Sequence, residues 1–236
     1  MKVFTQQINT ERLLMQKIED YTTAKLIAYS QATEEFKGQF KTIKDLVAYC
    51  ARVSNPSNQL NMETSDKLIT YLLKHKHFSP FEMASATIEI ETTRDIARQL
   101  LRHRSFTFQE FSQRYADPTK DLTFVTREAR LQDPKNRQNS VVTDNLALQS
   151  LWENYQNKVI ETAQNAYAFA IANGIAKEQA RAVLPEGCTM SRLYVQGTIR
   201  SFIHYIEVRK ANGTQLEHIV LAQKVAQAIS EVFDVK

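Results

Sequence analysis

Glycine is scarce in this sequence: only five glycines occur in 236 residues, at positions 38, 174, 187, 197 and 213. None belongs to a G-x-G-x-x-G or G-x-x-x-x-G-K-[ST] pattern, the glycine-rich loops that hold phosphate groups through backbone N–H groups. A nucleotide or dinucleotide bound by this chain would therefore have its phosphates held by side chains. Clusters of Arg, His, Ser and Thr are the places where such a site is expected.

Cysteine is also scarce, and Cys50 and Cys188 stand alone without a C-x-x-C partner. Two isolated thiols suggest a reducing compartment or simple burial. Cys188 could act as a nucleophile, but no histidine or other base lies nearby in sequence, so a buried thiol is the favoured interpretation. His75 and His77 have a spacing found in some metal sites, yet no third ligand accompanies them, and we expect no metal.

Long apolar runs are absent, and the N-terminus lacks the apolar core of a secretory signal, so we expect a cytoplasmic protein without a membrane span. The net charge of +4 and pI of about 9.0 are mildly basic. The basic residues are dispersed rather than collected in a stripe with aromatic residues, which disfavours a nucleic-acid-binding module. At 43% hydrophobic residues the chain can bury a substantial core, as one large domain or two small ones. Of these, we expect a single domain over residues 1–236.

The densest group of ligand-binding side chains lies in the run RHRSFTFQEFSQRY, residues 102–115. Arg102, His103 and Arg104 begin it, and Glu110, Ser112 and Arg114 follow. Guanidinium groups donate in a planar fork that matches phosphate oxygens. Together with hydroxyl donors and one carboxylate, they suit a small polyanion that carries a polar ring, such as a nucleotide. A solvated basic turn is the alternative interpretation.

The spacing of this run resembles the signature of the flavin-dependent thymidylate synthases, in which RHR is followed by seven residues and a serine. Here Ser105 to Phe111 separate Arg104 from Ser112. Further segments also resemble that family: ARVS at 51–54, HKHFSPFE at 75–82, RAVLP at 181–185, GTIRSFIHYIEVR at 197–209, and the Q-x-E pair Gln215 and Glu217. The chain departs from the family pattern at Met83, where a histidine is usual, and at Thr198, where an asparagine is usual.

The resemblance implies an enzyme that methylates dUMP to dTMP with the methylene group of 5,10-methylenetetrahydrofolate and a hydride from FAD that NADPH has reduced. It implies a homotetramer whose sites lie between subunits, so the site residues need not meet within one chain. Arg209 is the implied catalytic residue, because a guanidinium beside the uracil ring can stabilise the anion formed there. A homologue that binds flavin and nucleotide but has lost the activity is the alternative.

The resemblance also assigns residues to each ligand. The implied dUMP contacts are Gln99, Arg102, Glu110, Ser112, Arg114, Arg181 and Arg209, with backbone groups of Phe111 and Gln113. The implied FAD contacts are Ser54, Ser79, Arg102, His103, Arg104, Glu110, Thr198, Arg200 and His204. His77 corresponds to the flavin and folate region.

Hydrophobic periodicity predicts an α+β fold, an antiparallel sheet packed with helices and a helix-rich C-terminal half. The predicted helices cover residues 42–50, 61–75, 95–101, 146–172, 178–184, 198–210 and 215–233. Strands are predicted over 84–92 and, at an edge, over 2–8, and residues 124–140 are predicted to form a long loop. On the helix over 198–210, Arg200 and His204 share one face and Arg209 lies further round.

Overall fold

A computed structural model describes residues 14–211 and 213–234. The sheet has four antiparallel strands in the order β1 (Thr23–Tyr29), β2 (Ser85–Thr93), β6 (Met190–Thr198) and β3 (Thr107–Glu110). The α+β class is therefore confirmed. The edge strand predicted over residues 2–8 lies outside the described residues.

One face of the central strands builds the main core. In β2 and β6 buried and less buried residues alternate, since successive side chains of a strand point to opposite faces. Ile88 and Ile90 of β2 pair in register with Val195 and Leu193 of β6, and all four are buried. Helices α8 (Ile199–Arg209) and α9 (Leu216–Ser230) pack against each other, and α9 covers β1 and β2. Residues 197–198 end strand β6 and α8 follows directly, with Ile199, Phe202 and Ile203 buried in the main core.

The remaining helices surround this unit. They are α1 (residues 14–21), α2 (Ile43–Ala51), α3 (Ser65–Lys74), α4 (Arg94–Leu100), α5 (Pro118–Asp121), α6 (Leu146–Ala172) and α7 (Lys177–Ala180), with short 3-10 turns at Pro56–Asn58, Met62–Thr64, Ser79–Glu82 and Arg181–Val183. In the part of the chain that the structure describes, no helix is both long and apolar enough to cross a bilayer.

Helix α6 has the predicted bounds, and its ends explain them. The Asn145 side chain accepts a hydrogen bond from the Leu148 backbone N–H, which caps the N-terminus. At the C-terminus Gly174 has a φ of +73°, while Ile175 N–H donates to the Ala170 carbonyl and Gly174 N–H donates to that of Ile171. These bonds form a Schellman motif, for which glycine is the favoured residue.

Three predicted boundaries were wrong. The loop expected over 124–140 contains β4 (Arg130–Gln132), which pairs with β5 (Ser140–Val142) in a hairpin whose strands are too short to produce a periodic pattern. The helix expected over 61–75 begins as a 3-10 turn, and the Thr64 hydroxyl accepts a bond from Arg52 and does not cap α3. The helix expected over 178–184 divides into α7 and a 3-10 turn.

Candidate active site

The two arginines of helix α8 that the sequence predicted as ligand contacts have different neighbours in the structure. The Thr198 hydroxyl caps the helix by accepting a bond from the Ser201 backbone N–H at 3.2 Å, so the threonine found in place of the family's asparagine has a structural role. Near this end Arg200 forms an ion pair with Glu82. At the other end the Arg209 Nε–H donates to His103 Nε2 at 2.9 Å. The predicted separation of Arg200 from Arg209 is therefore seen in their contacts.

His103 lies between Arg209 and the core. Its ring stands edge-on to that of Tyr205, with 5.0 Å between the centroids. Burial, followed by the positive charge of Arg209 and the nearby His204, lowers the pKa of His103 to about 4. A neutral His103 leaves Nε2 free to accept from Arg209. The bond occupies Arg209 Nε, and among the described residues neither terminal nitrogen of this guanidinium has a partner.

The turn after α4 presents Arg102 and Arg104 to solvent. The helix was predicted to reach residue 101 and to present Gln99 and Arg102 on one face. It ends instead at Leu100, and Arg102 lies in the turn that follows. Within residues 14–211 and 213–234, no hydrogen bond or ion pair of either side chain is found. Two guanidinium groups without a carboxylate partner are suited to bind an anionic ligand.

Gln99 turns toward α9 instead. Its Nε2 donates to Gln215 Oε1 at 2.8 Å, and its Oε1 lies 3.2 Å from His218 Nδ1. The other ring nitrogen of His218 lies 3.2 Å from the Tyr205 hydroxyl. The sequence did not predict roles for Tyr205 and His218. Their partners are distant along the chain, and the family resemblance assigned neither residue a ligand contact.

The other predicted dUMP contacts form a second group around β3. Glu110 is paired with Arg98 and lies 3.6 Å from Arg94, and it accepts a bond from the Ser191 hydroxyl at 2.8 Å. The Phe111 backbone N–H donates to the Arg192 carbonyl, so only the Phe111 carbonyl remains available to a ligand.

The rest of this group continues toward α7. The Ser112 Oγ accepts from the Arg114 backbone N–H at 3.3 Å, and the Arg114 guanidinium lies 3.5 Å from the Glu178 carboxylate. Gln113 is buried, and its Nε2 has no hydrogen-bond partner among the residues that the structure describes. Arg181 begins the 3-10 turn directly after α7. Among the described residues no hydrogen bond or ion pair joins this group to Gln99, Arg102 or Arg209.

A cavity of 480 Å³ beside α8 contains part of the predicted FAD set. It is lined by Phe78, Glu82, Ser105, Arg200, Ser201, His204 and Glu207. Ser79 precedes Glu82 by one turn of 3-10 helix, and Ser54 is exposed just after α2. Glu82 was not assigned a contact from the sequence, although it lies within the matched segment HKHFSPFE. Met83, in place of the family's histidine, is largely exposed.

His77 lies on the surface near this region. Its ring is 6.1 Å from that of Tyr71 and 6.2 Å from that of His75, and the intervening Lys76 has a positive φ of 56°. Positive φ is uncommon for a residue with a side chain. The three rings form an exposed aromatic cluster that includes the residue predicted for the flavin and folate region.

Two cavities hold none of the predicted site residues. Cavities of 820 and 500 Å³ lie between the β4–β5 hairpin, the segment around Arg127 and helix α6. Glu217, the acid of the matched Q-x-E pair, is buried beside them, with Arg130 in contact and Arg127 Nε at 3.9 Å. Arg127 also forms a two-pronged pair with Asp95 at 2.7 and 2.8 Å. Glu217 is thus buried and connects α9 to α4 through Arg127.

Comparisons with a family model and with related proteins show the family to which the chain belongs. The family model described as thymidylate synthase complementing protein matches residues 38–234. The probable flavin-dependent thymidylate synthase of Paramecium bursaria Chlorella virus 1 is 48% identical over 211 residues, which are 89% of this chain and 93% of that protein. The flavin-dependent thymidylate synthase of Synechocystis sp. is 46% identical over 188 residues, 80% of this chain and 83% of that protein.

A solved structure extends the comparison to the fold. The UMP/dUMP methylase PolB from Streptomyces cacaoi, bound with 5-Br dUMP, superposes with a TM-score of 0.73 at 26% identity, covering 89% of this chain and 90% of that one. The chain belongs to the flavin-dependent thymidylate synthase family, and the resemblance drawn from its motifs is confirmed.

Proposed function

We propose that this protein converts dUMP to dTMP, using 5,10-methylenetetrahydrofolate as the carbon donor and FAD, reduced by NADPH, as the hydride source. Family membership over most of the chain supports the reaction class. The observation that carries the assignment to particular residues is the guanidinium of Arg209. Its Nε donates to His103, and in the described part of the chain its terminal N–H groups have no partner.

Arg209 acts on the uracil ring in this proposal. Forming a carbon–carbon bond at C5 needs electron density there, which places negative charge on the ring oxygens. Free N–H donors aimed at that charge stabilise the transition state more than the ground state. Because His103 holds Nε, the guanidinium plane is fixed before dUMP binds, and little reorganisation is needed during the reaction.

FAD fits the donor set beside α8. The molecule has two phosphates and an adenine and a flavin ring, and this chain has no glycine loop to receive them. The cavity of 480 Å³ offers Arg200, Ser201 and His204, and the unpaired Arg104 can donate to a phosphate. When bound, FAD supplies the hydride, and the residues of this chain bind and orient it.

A site shared between subunits accounts for the two separate groups of dUMP residues. Within the described residues of one chain, Arg209 and Arg114 share no hydrogen-bond or ion-pair partner, so in this proposal a second copy supplies the missing half. Helix α6 supports this, because Leu151, Trp152 and Tyr155 are exposed on it. Apolar side chains exposed together indicate an interaction surface. We therefore propose a homotetramer, with each chain a single domain.

Flavin content and product formation test the proposal on the same preparation. The purified protein should bind FAD and form dTMP from dUMP when NADPH and methylenetetrahydrofolate are present, and UMP should be assayed alongside as the closest competing substrate. A protein that binds FAD but makes no product from either nucleotide is the inactive homologue. A protein that binds no FAD overturns the proposal altogether.

Arg104→Ala tests the assignment of phosphate binding to side chains. Losing one charge-assisted hydrogen bond should weaken FAD binding by about 1.5–3 kcal/mol. Arg192→Ala is the matched control, because Arg192 is an exposed arginine already paired with Glu91 at 2.6 Å. Equal FAD affinity in the two variants would refute the role of Arg104.

We also propose a cytoplasmic location, since both cysteines are free thiols.

A further inference from the structure

Four polar side chains behind the nucleotide site form one continuous chain of hydrogen bonds. The Tyr205 hydroxyl lies 3.2 Å from His218 Nε2, and His218 Nδ1 lies 3.2 Å from Gln99 Oε1. Gln99 Nε2 then donates to Gln215 Oε1 at 2.8 Å. His218 is fully buried and Tyr205 is 1% exposed. The chain runs from Tyr205 of α8 to His218 of α9, then to Gln99 of α4, a predicted dUMP contact, and it ends at Gln215 at the start of α9.

The buried hydroxyl of Tyr205 sets the direction of this chain. If the tyrosine donates to His218 Nε2, then Nδ1 carries the imidazole proton and donates to Gln99 Oε1, and every member is satisfied. In the opposite direction His218 would donate to Tyr205, whose own proton would have no acceptor among the described residues. A buried donor without a partner is costly, so the first direction is favoured.

The state of His218 agrees with this direction. Burial, followed by the positive charge of Arg209 and by His103, lowers the pKa of His218 to about 3. The ring is therefore neutral, with one nitrogen that donates and one that accepts. A neutral ring between a hydroxyl donor and an amide oxygen has only one tautomer that satisfies both neighbours.

We propose that Tyr205 and His218 are positioning residues that fix the orientation of the Gln99 carboxamide. Its oxygen is directed toward His218, and one N–H is bound to Gln215, so the group that Gln99 turns toward the nucleotide is its second N–H. Gln99 therefore recognises a hydrogen-bond acceptor on the nucleotide and rejects a donor. This inference rests on the proposed function, in which Gln99 contacts dUMP.

A double-mutant cycle tests the proposal on FAD-loaded enzyme, with dUMP affinity measured by calorimetry. Tyr205→Phe removes only the hydroxyl, and His218→Leu removes the ring donor. Each should weaken dUMP binding about three- to tenfold, the effect of one hydrogen bond. FAD content should stay at the parent level. His218→Asn, which restores a donor near the Nδ1 position, should recover most of the affinity.

Repeating both substitutions in the Gln99→Ala variant separates a positioning role from a structural role. In Gln99→Ala, neither Tyr205→Phe nor His218→Leu should weaken dUMP binding further, because the group that they orient is gone. Additive losses in that background overturn the inference. If His218→Leu does not fold, Tyr205→Phe alone decides. If the parent enzyme binds dUMP and the losses in the variants are additive, only this inference is overturned. If the parent enzyme binds no dUMP, the proposed function is overturned as well.

Discussion

Replacing Arg209 should separate product formation from flavin chemistry. Arg209 Nε donates to His103 at 2.9 Å, and within the described residues the two terminal nitrogens have no partner. Arg209→Ala removes these donors from an anion that forms only during the reaction. Loss of one such donor typically lowers kcat about 10²–10³-fold, or about 2.7–4 kcal/mol. Losing the bond to His103 should cost stability by about 1 kcal/mol, a smaller effect.

Arg209→Lys should recover only part of this loss. An ammonium group is a point charge and cannot reproduce a planar guanidinium fixed at Nε. His103 reports on the same change: the Arg209 charge is the second cause of its low pKa, after burial, so Arg209→Ala should raise the pKa of His103 toward its ordinary value. A histidine titration by NMR would follow this shift.

The comparison with Arg200 makes the test selective. Arg200 lies at the other end of α8, paired with Glu82 beside the proposed FAD cavity, so Arg200→Ala should lower FAD occupancy. Flavin content, NADPH oxidation and dTMP yield are measured on each preparation, with Arg192→Ala as the surface control. Arg209→Ala should keep flavin and NADPH oxidation near the parent level. If it forms dTMP at the parent rate, Arg209 does not activate the ring.

Three further predictions concern thiols, packing and pH. The Cys50→Ala, Cys188→Ala double variant should form dTMP within about tenfold of the parent rate, because no thiol is needed, and loss of turnover in a folded, flavin-loaded variant would revive a cysteine nucleophile. Gly197→Ala should lower the free energy of unfolding by about 1–3 kcal/mol in urea denaturation, since its new Cβ would lie 2.4 Å from the ring of Phe106, and unchanged stability would contradict that packing. In the folded protein the pKa of His218 is about 3, below the unfolded value of 6.5. Below pH 6.5 the unfolded state therefore binds a proton that the folded state does not, so the stability present above pH 6.5 is lost toward pH 3. The free energy of unfolding falls by up to about 1.4 kcal/mol per pH unit. The pH dependence of unfolding should therefore be flatter in His218→Leu, and an identical dependence in both proteins would refute a neutral buried ring.

Local patterns predicted the helices better than the strands. Helix α6 has an asparagine cap and a terminal glycine, and both boundaries were predicted correctly. Strand β1 was missed because few of its residues pack against the core, among them Ala24 and Leu26, and an irregularity between Leu26 and Ala28 interrupts the alternation. Strand β3 has four residues, which is too short for a pattern. Strand β6 does alternate, but it leads directly into α8, and the motif that spans this junction was interpreted as a helix start.

In the site, too, features that depend on local spacing were predicted, whereas contacts between distant residues were not. Helical spacing separated Arg200 from Arg209, and the ion pair with Glu82 and the bond to His103 agree with that separation. The partners themselves could not be predicted, since His103 and Arg209 are 106 residues apart. The bond from Gln99 to Gln215 spans 116 residues. Such contacts depend on how helices pack across the sheet, and periodicity within one segment carries no signal of them.

The most direct test of the proposed function is dTMP formation as a function of flavin content. The protein is stripped of flavin, reconstituted with increasing amounts of FAD, and assayed with dUMP, methylenetetrahydrofolate and NADPH. The account predicts that dTMP yield rises in proportion to bound FAD and is negligible without it. Product formation that is independent of flavin, or bound flavin without any product, would contradict it.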